Sequence, residues 1–422
     1  MNISKAEALS IRRIPNRRVN KWLVLALVTL AHAFVVGFPW TVMPVLFSAA
    51  SSELNLSIGQ IGMLWGMLPV GAAVFAVPGG MLGDRLGFVK AIGIGCFAVA
   101  AANALRGFSD SLWLLTIAMF LCGATVALVF PNLQRIASVF FPKQQVGLAT
   151  GISISGFAVG GFLTTAFAGT LFMPILGGWR NVVYLYSALC IAMGVVWFLL
   201  MRGASDGGIM NPENGFVTRP SFRESMVAVF KVRATWLLAL GNLGVVGSFI
   251  ALNGYLPVYL ERTGLPKSIG DTMSSTLFIA SIVGAIGVPA LAERIGAARA
   301  VIIASSLLTS VSIALLSIAG PSAMWVLIPM VGCLTQGIGT LVIAHTLGIK
   351  AIGAAYAGTA LGLIGGLANF GGFVMPLIGG KLAETNPVWP FIMWSVACLA
   401  GTSCFFLLKE TRRATKGLTS QV

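Results

Sequence analysis

Negative charge is what this chain has least of. Asp and Glu number 12 against 27 Lys and Arg in 422 residues, and charged residues of both signs make up only 9%. Water-soluble domains carry about a quarter charged residues, so this scarcity excludes a soluble globule. The 57% hydrophobic content and a mean hydropathy of +0.93 place the chain in a bilayer. Histidine is nearly absent, with His32 and His345 the only two. The six cysteines (Cys96, Cys122, Cys190, Cys333, Cys398 and Cys404) all lie in apolar stretches, with no CxxC or His/Cys spacing. That excludes a zinc site and a disulfide framework. Paired carboxylates within the apolar runs, a nucleophile triad and a P-loop lysine are also lacking, so neither an enzyme nor a bound cofactor is expected.

Long apolar runs dominate what remains. About 20 apolar residues cross a bilayer as a helix, and twelve such runs are legible: 22–47, 58–81, 88–107, 111–140, 146–172, 181–201, 234–260, 270–291, 298–319, 323–349, 354–380 and 387–408. The first is longer than a signal-peptide core and lacks a cleavage site, so it is expected to be retained. A polar stretch with Gly207-Gly208, Pro212, Gly215 and Pro220 separates the sixth run from the seventh. The expected organisation is a tail over 1–21, a six-helix bundle over 22–201, a linker over 202–233, a second six-helix bundle over 234–408 and a tail over 409–422.

Lys and Arg are retained on the cytoplasmic side of a membrane. With the N-terminus inside, only Arg106, Arg180, Arg262, Lys267 and Lys381 fall on the outer side, Arg135 lies within a run, and the other 21 bases are inside. Both termini are therefore expected in the cytoplasm, with the chain in the inner (plasma) membrane. A net charge of +15 would suggest nucleic acid in a soluble protein. Here the bases sit in short loops beside anionic headgroups, and no nucleic acid is expected.

Two stretches repeat the same message. Gly80-Met81-Leu82-Gly83-Asp84-Arg85-Leu86-Gly87 and Pro289-Ala290-Leu291-Ala292-Glu293-Arg294-Ile295-Gly296 each place acid-Arg-x-Gly where an apolar run ends. One offset of 209 residues separates Asp84 from Glu293, Gly87 from Gly296 and Lys90 from Arg299. A duplicated apolar unit with the same charged turn is the mark of a carrier built from two repeats. The first stretch resembles the G-x-x-x-D-R-x-G-x-x-K/R loop signature of the major facilitator superfamily, and the second resembles its degraded copy. Further along, Phe130-Pro131-Asn132, Phe140-Phe141-Pro142, Gly147-Leu148-Ala149-Thr150-Gly151, Gly178-Trp179-Arg180, Val196-Trp197-Phe198 and Leu256-Pro257-Val258-Tyr259-Leu260-Glu261 resemble its cyanate, nitrite and organic-anion porter branches. Phe88 stands where relatives more often have a base, Glu293 replaces the usual Asp, and Gln145 the frequent Arg. No Arg lies in the interior of the second or eighth run, which argues against nitrate in particular.

The resemblance implies an all-α membrane protein of two pseudosymmetric six-helix bundles, a monomer that moves a small solute by alternating access. It also implies a cytoplasmic gate formed by Gly80, Gly83, Asp84, Arg85, Gly87, Lys90, Glu293 and Arg294, and a cavity lined by the first, fourth, seventh and tenth helices. No acid falls in the middle of an apolar run, so histidine or the solute itself is left to carry a co-transported proton. Arg135 is the one cation set in from the ends of a run, with Asn132 one turn earlier on the same face. It either binds an anion through its guanidinium or snorkels to the interface. His32 with Trp40, Asn242 with Asn253, and Gln336 with Thr340 are further substrate-contact candidates. His32 and His345 are proton-relay candidates, and each of these polar groups could instead brace a neighbouring helix. The expected cargo is a small anion or weak acid. The alternatives are export of neutral or lipophilic compounds, and a non-transporting receptor or scaffold, which would call for a soluble appendage.

Overall fold

A computed structural model describes residues 20–141, 143–201, 222–349 and 351–408. Among them there are twelve helices long and apolar enough to cross a membrane. Span 1 (Lys21–Leu54) runs as an α-helix, a π-helical segment over His32–Gly37 and a second α-helix from Phe38. Spans 2, 3 and 4 are Ile58–Leu86, Phe88–Gly107 and Leu112–Phe140. Span 5 is Lys143–Phe167, continuing through a π-helical Ala168–Phe172 and a last turn at Met173–Leu176, and span 6 is Trp179–Met201. The second half holds spans 7 to 12: Arg233–Arg262, Lys267–Ile295, Ala298–Leu315, Pro321–Leu347, Gly353–Thr385 and Trp389–Phe406. A short helix, Phe222–Phe230, lies within the linker.

The charged turns are tighter than the sequence pattern suggests. Helix continues through Gly80–Leu86, and Gly87 alone (φ 82°) reverses the chain before Phe88. Likewise Glu293 and Arg294 complete the last turn of span 8, and the reversal falls on Gly296 (φ 72°). Glycine occupies a positive φ without the penalty a Cβ would impose, so one residue does the work of a loop.

Lipid offers no hydrophobic drive between helices, so close packing falls to small residues. A Cβ on Gly123 of span 4 would strike the Leu68 carbonyl of span 2, and one on Gly332 of span 10 would strike the Leu277 carbonyl of span 8. Both members of these pairs are 209 residues apart, the offset of the charged motifs. Gly37 of span 1 meets Gly160 of span 5, as Gly247 of span 7 meets Gly371 of span 11. The repeat is thus written into the contacts that let helix backbones touch.

Spans 1, 3, 5, 7, 9 and 11 start at one end of the bundle, termed proximal, and the others start at the distal end. At the proximal end the cores are separate. One is built from Val24–Val36, Val89–Ala102, Cys122–Ile136 and Cys190–Met201 and the other from Leu238–Val245, Val288–Ile302, Ile338–Ile364 and Cys398–Leu408. At the distal end they interpenetrate: Ile250 and Val258 join the core of the first half, and Ile58 joins that of the second. Among the described residues, proximal glycines Gly151, Gly287, Gly358, Gly362, Gly365 and Gly366 have no atom within 4 Å of a Cβ position. By the described residues, the two halves are closed distally and parted proximally.

Gly123→Leu and Gly332→Leu should each lower the melting temperature of the purified protein in detergent by several degrees, since a backbone carbonyl must move. Gly365→Leu, which faces open space, should leave it within about a degree; equal losses in all three would contradict this packing scheme.

Candidate functional site

The distal closure is polar as well as apolar. Ser57 caps span 2 in a reciprocal box: its hydroxyl accepts from the Gln60 amide (3.3 Å), and Gln60 Oε1 accepts from the Ser57 amide (2.8 Å). Glu384 of span 11 reaches across the halves to the same helix end. Its Oε1 accepts from the Ser57 hydroxyl (2.6 Å) and from the Gly59 amide (3.0 Å). A carboxylate at a helix N-terminus meets unpaired amides and the positive end of the helix dipole. Nearby, Trp65 Nε1 donates to the Ile250 carbonyl (2.7 Å), with the indole lying where a Cβ on Gly254 would go.

A second cross-half contact joins spans 8, 1 and 5. Lys267 Nζ donates to the Val45 carbonyl (3.0 Å) and lies 3.7 Å from both Glu261 and Asp271. Asp271 is only 2% exposed and its Oδ2 has no hydrogen-bond partner among the described residues. It abuts the π-helical segment of span 5, where a Cβ on Gly169 would come within 2.5 Å of Oδ2. Within the first half, Trp179 Nε1 and Arg180 bind Glu53 at 2.6–3.0 Å, and Arg180 Nη1 also donates to Gly107 and Ser109 carbonyls. The Gly-Trp-Arg motif thus pins span 6 to spans 1 and 3.

The sequence-predicted polar residues separate by how they are used. His32 is fully buried. Its Nδ1 lies 3.0 Å from both the Val28 carbonyl and Ser153 Oγ, and its ring meets Phe130 edge-on at 5.8 Å. Asn132, also fully buried, spends its Nδ2 on the Leu128 (2.8 Å) and Gly79 (3.3 Å) carbonyls, tying span 4 to span 2. In Asn242 and Asn253 the amide oxygen has no partner among the described residues, as is also true of Asn132 Oδ1 and His32 Nε2. Gln336 and Thr340 are half-buried, joined by a bond from Thr340 Oγ1 to the Gln336 carbonyl (3.1 Å), and a Cβ on the intervening Gly339 would meet nothing within 4 Å. Trp40 is half-buried between the two cores of the first half, and His345 is buried. In the charged motifs, Lys90, Glu293 and Arg294 are exposed. The side chains of Arg135, Asp84 and Arg85, and the surroundings of Gly80 and Gly83, lie outside the described residues.

Two charged groups that the sequence pattern places in outer loops are buried. Arg106, at the end of span 3, is 0% exposed; its Nη1 donates to the Pro39 carbonyl (2.6 Å) and to Asn103 Oδ1 (3.2 Å). Helical side chains lean toward their own N-terminus, which carries Arg106 into the bundle instead of out of it. Asp271 is the other, one turn after Lys267 on span 8. The i, i+4 spacing of Lys267 and Asp271 is the only signal of it in the sequence, and run-length counting passes over it.

Residues 25–376 match the family profile described as Major Facilitator Superfamily. The chain is similar to a gentisate transporter of Corynebacterium glutamicum, at 24% identity over 96% of this chain and 91% of that one. It is also similar to a benzoate transport protein of Acinetobacter baylyi (24%, 84% and 81%) and a probable nitrate/nitrite antiporter of Thermus thermophilus (27%, 68% and 65%). Among solved structures, a bacterial homologue of the human lysosomal transporter Spinster, inward-facing and unoccupied, superimposes with a TM-score of 0.70 at 17% identity, over 92% of this chain and 96% of that one.

Removing the carboxylate with Glu384→Ala strips span 2 of its cross-half cap. A cysteine at Ala251, 1% exposed behind the distal closure, should then react several-fold faster with a membrane-impermeant maleimide added from the distal side; an unchanged rate would show that Glu384 does not hold the halves together.

Proposed function

The chain belongs to the Major Facilitator Superfamily, and from that premise we propose that it moves a small anion or weak acid, of the aromatic monocarboxylate or inorganic class, by alternating access. The observation that carries the reading is the absence of carboxylates from the interior of the helices that line such a cavity. Among the described residues, spans 1 and 7 hold acids only at their distal ends, Glu53 and Glu261, and spans 4 and 10 hold none. An ionised carboxylate in a low-dielectric chamber attracts cations and repels anions; its absence favours negative cargo. The relatives named for gentisate, benzoate and nitrate or nitrite transport support the same class.

In this reading Arg135 supplies the positive charge and a fork of donors to the anion. Asn242 and Asn253 of span 7 supply amides whose oxygens have no partner among the described residues. Gln336 and Thr340 of span 10 add further polar contacts. Trp40 contributes an aromatic wall, while His32 and Asn132 act one layer back by fixing spans 1 and 4. The protein works as a monomer with both termini in the cytoplasm, where most of its Lys and Arg lie. The distal end is then the outer end, and the arrangement described above is inward-open. Asp84, Arg85, Lys90, Glu293 and Arg294, with Gly80, Gly83 and Gly87, close the cytoplasmic end in the opposite state.

Proteoliposomes should take up radiolabelled benzoate or 2,5-dihydroxybenzoate saturably, each competing with the other, and nitrate less well. A charge-assisted hydrogen bond is worth about 1.5–3 kcal/mol, so Arg135→Gln should lower kcat/KM for these anions by roughly ten- to a hundredfold, with Arg135→Lys intermediate. Transport of hydrophobic cations or neutral aromatics in place of anions would overturn the reading.

A further inference from the structure

Asp271 is a buried acid in a chain otherwise poor in them. It sits between the halves at the distal closure, held by span 8 and pressed against Gly169 of span 5. The cation beside it, Lys267, is committed elsewhere: Nζ donates to the Val45 carbonyl of span 1 at 3.0 Å and stands 3.7 Å from Asp271 Oδ1, too far for a hydrogen bond. The nearest other charged groups are Glu261 and Arg262 on span 7 and Glu53 on span 1, the last of them bound to Trp179 and Arg180; Arg106, Asp110, Lys381 and Glu384 lie at the same end, on or just after span 3 and on span 11. Spans 5, 9 and 10 contribute no Asp, Glu, His, Lys or Arg to their distal turns. The carboxyl is therefore enclosed with one oxygen, Oδ2, that no group solvates.

We propose that Asp271 is a proton-binding site that fills as the distal end closes. Resting on the alternating-access reading above, the argument compares the two states. When the halves part distally, Gly169 and Val45 withdraw with the first half, and water reaches both carboxyl oxygens. When they meet, an ionised Asp271 loses the hydration of Oδ2 and gains no hydrogen bond in return, whereas the protonated acid loses far less. Closure thus draws a proton from the distal medium, and lowering the distal pH draws the closure. The direction follows from linkage: the state that binds more protons gains weight as pH falls, by up to tenfold in the closed-to-open ratio for each pH unit across the range where the two states differ in occupancy.

The test uses the full chain in lipid nanodiscs without solute, spin-labelled at Asp110→Cys and Ser322→Cys, two exposed distal positions in opposite halves, with Cys333 and Cys404 replaced by alanine. Pulsed electron resonance should show the short-distance population growing as pH is lowered from 9 to 5. Asp271→Asn, a neutral mimic of the protonated acid, should hold the short distance across the whole range. A wild-type distance distribution that ignores pH, or an Asp271→Asn profile that follows the wild type, would each overturn the proposal. Because no anion is present, these outcomes stand apart from failure of the anion reading, which uptake measurements decide.

Discussion

Glu384 rests on the amino end of a helix that belongs to the other half of the molecule, and much else follows from that placement. The amides of the first turn of span 2 have no partners within their own helix. Ser57 and Gln60 satisfy two of these groups locally, and Glu384 satisfies the Gly59 amide from across the interface. This contact lies at the same end as Trp65 on the Ile250 carbonyl and Lys267 on the Val45 carbonyl. All three can form together only when spans 2, 1 and 5 close on spans 11, 7 and 8. Among the described residues the cross-half bonds gather at one end, and the separate proximal cores are the apolar expression of the same division.

Inside each half, polarity is used to hold irregular backbone where lipid offers no water. The π-helical turn of span 1 ends just before Pro39, whose ring cannot follow a regular helical turn. Its neighbourhood is tied down from outside: the Cys190 thiol donates to the Phe34 carbonyl, Thr41 to Gly37, and Arg106 to the Pro39 carbonyl. A guanidinium buried without a carboxylate is costly. Here Nη1 is set against one carbonyl and one amide oxygen, those of Pro39 and Asn103, which fixes spans 1 and 3 to one another, while Nε and Nη2 have no partner among the described residues.

The architecture was legible because it depends on features that sequence displays directly. Twelve apolar runs give twelve spans, and the 209-residue offset of the charged motifs recurs in the Gly123–Leu68 and Gly332–Leu277 contacts. The candidate site was only partly legible. Asn242 with Asn253 and Gln336 with Thr340 share faces by simple helical periodicity, and the structure leaves the two asparagine oxygens unpaired. His32 and Asn132 satisfy the same periodicity yet spend one polar atom each, Nδ1 and Nδ2, on Ser153 and Gly79, because the helix packed against each face is a tertiary fact; their other polar atoms, like the asparagine oxygens, have no partner among the described residues. Arg106 and Asp271 escaped for a related reason. Counting charges at the ends of runs assigns them to water, whereas side-chain direction and the approach of the opposite half decide their burial. Glu384 on Ser57 joins residues 327 apart, and no local pattern announces it.

The single-residue reversal at Gly87 has a mechanical result. With no slack between Leu86 and Phe88, span 3 must follow every tilt of span 2. Span 3 presents Ile94 and Phe97 outward, 48% and 38% exposed, toward acyl chains. Any tilt of span 2 therefore displaces lipid as well as protein, so the thickness and lateral pressure of the surrounding bilayer enter its energetics.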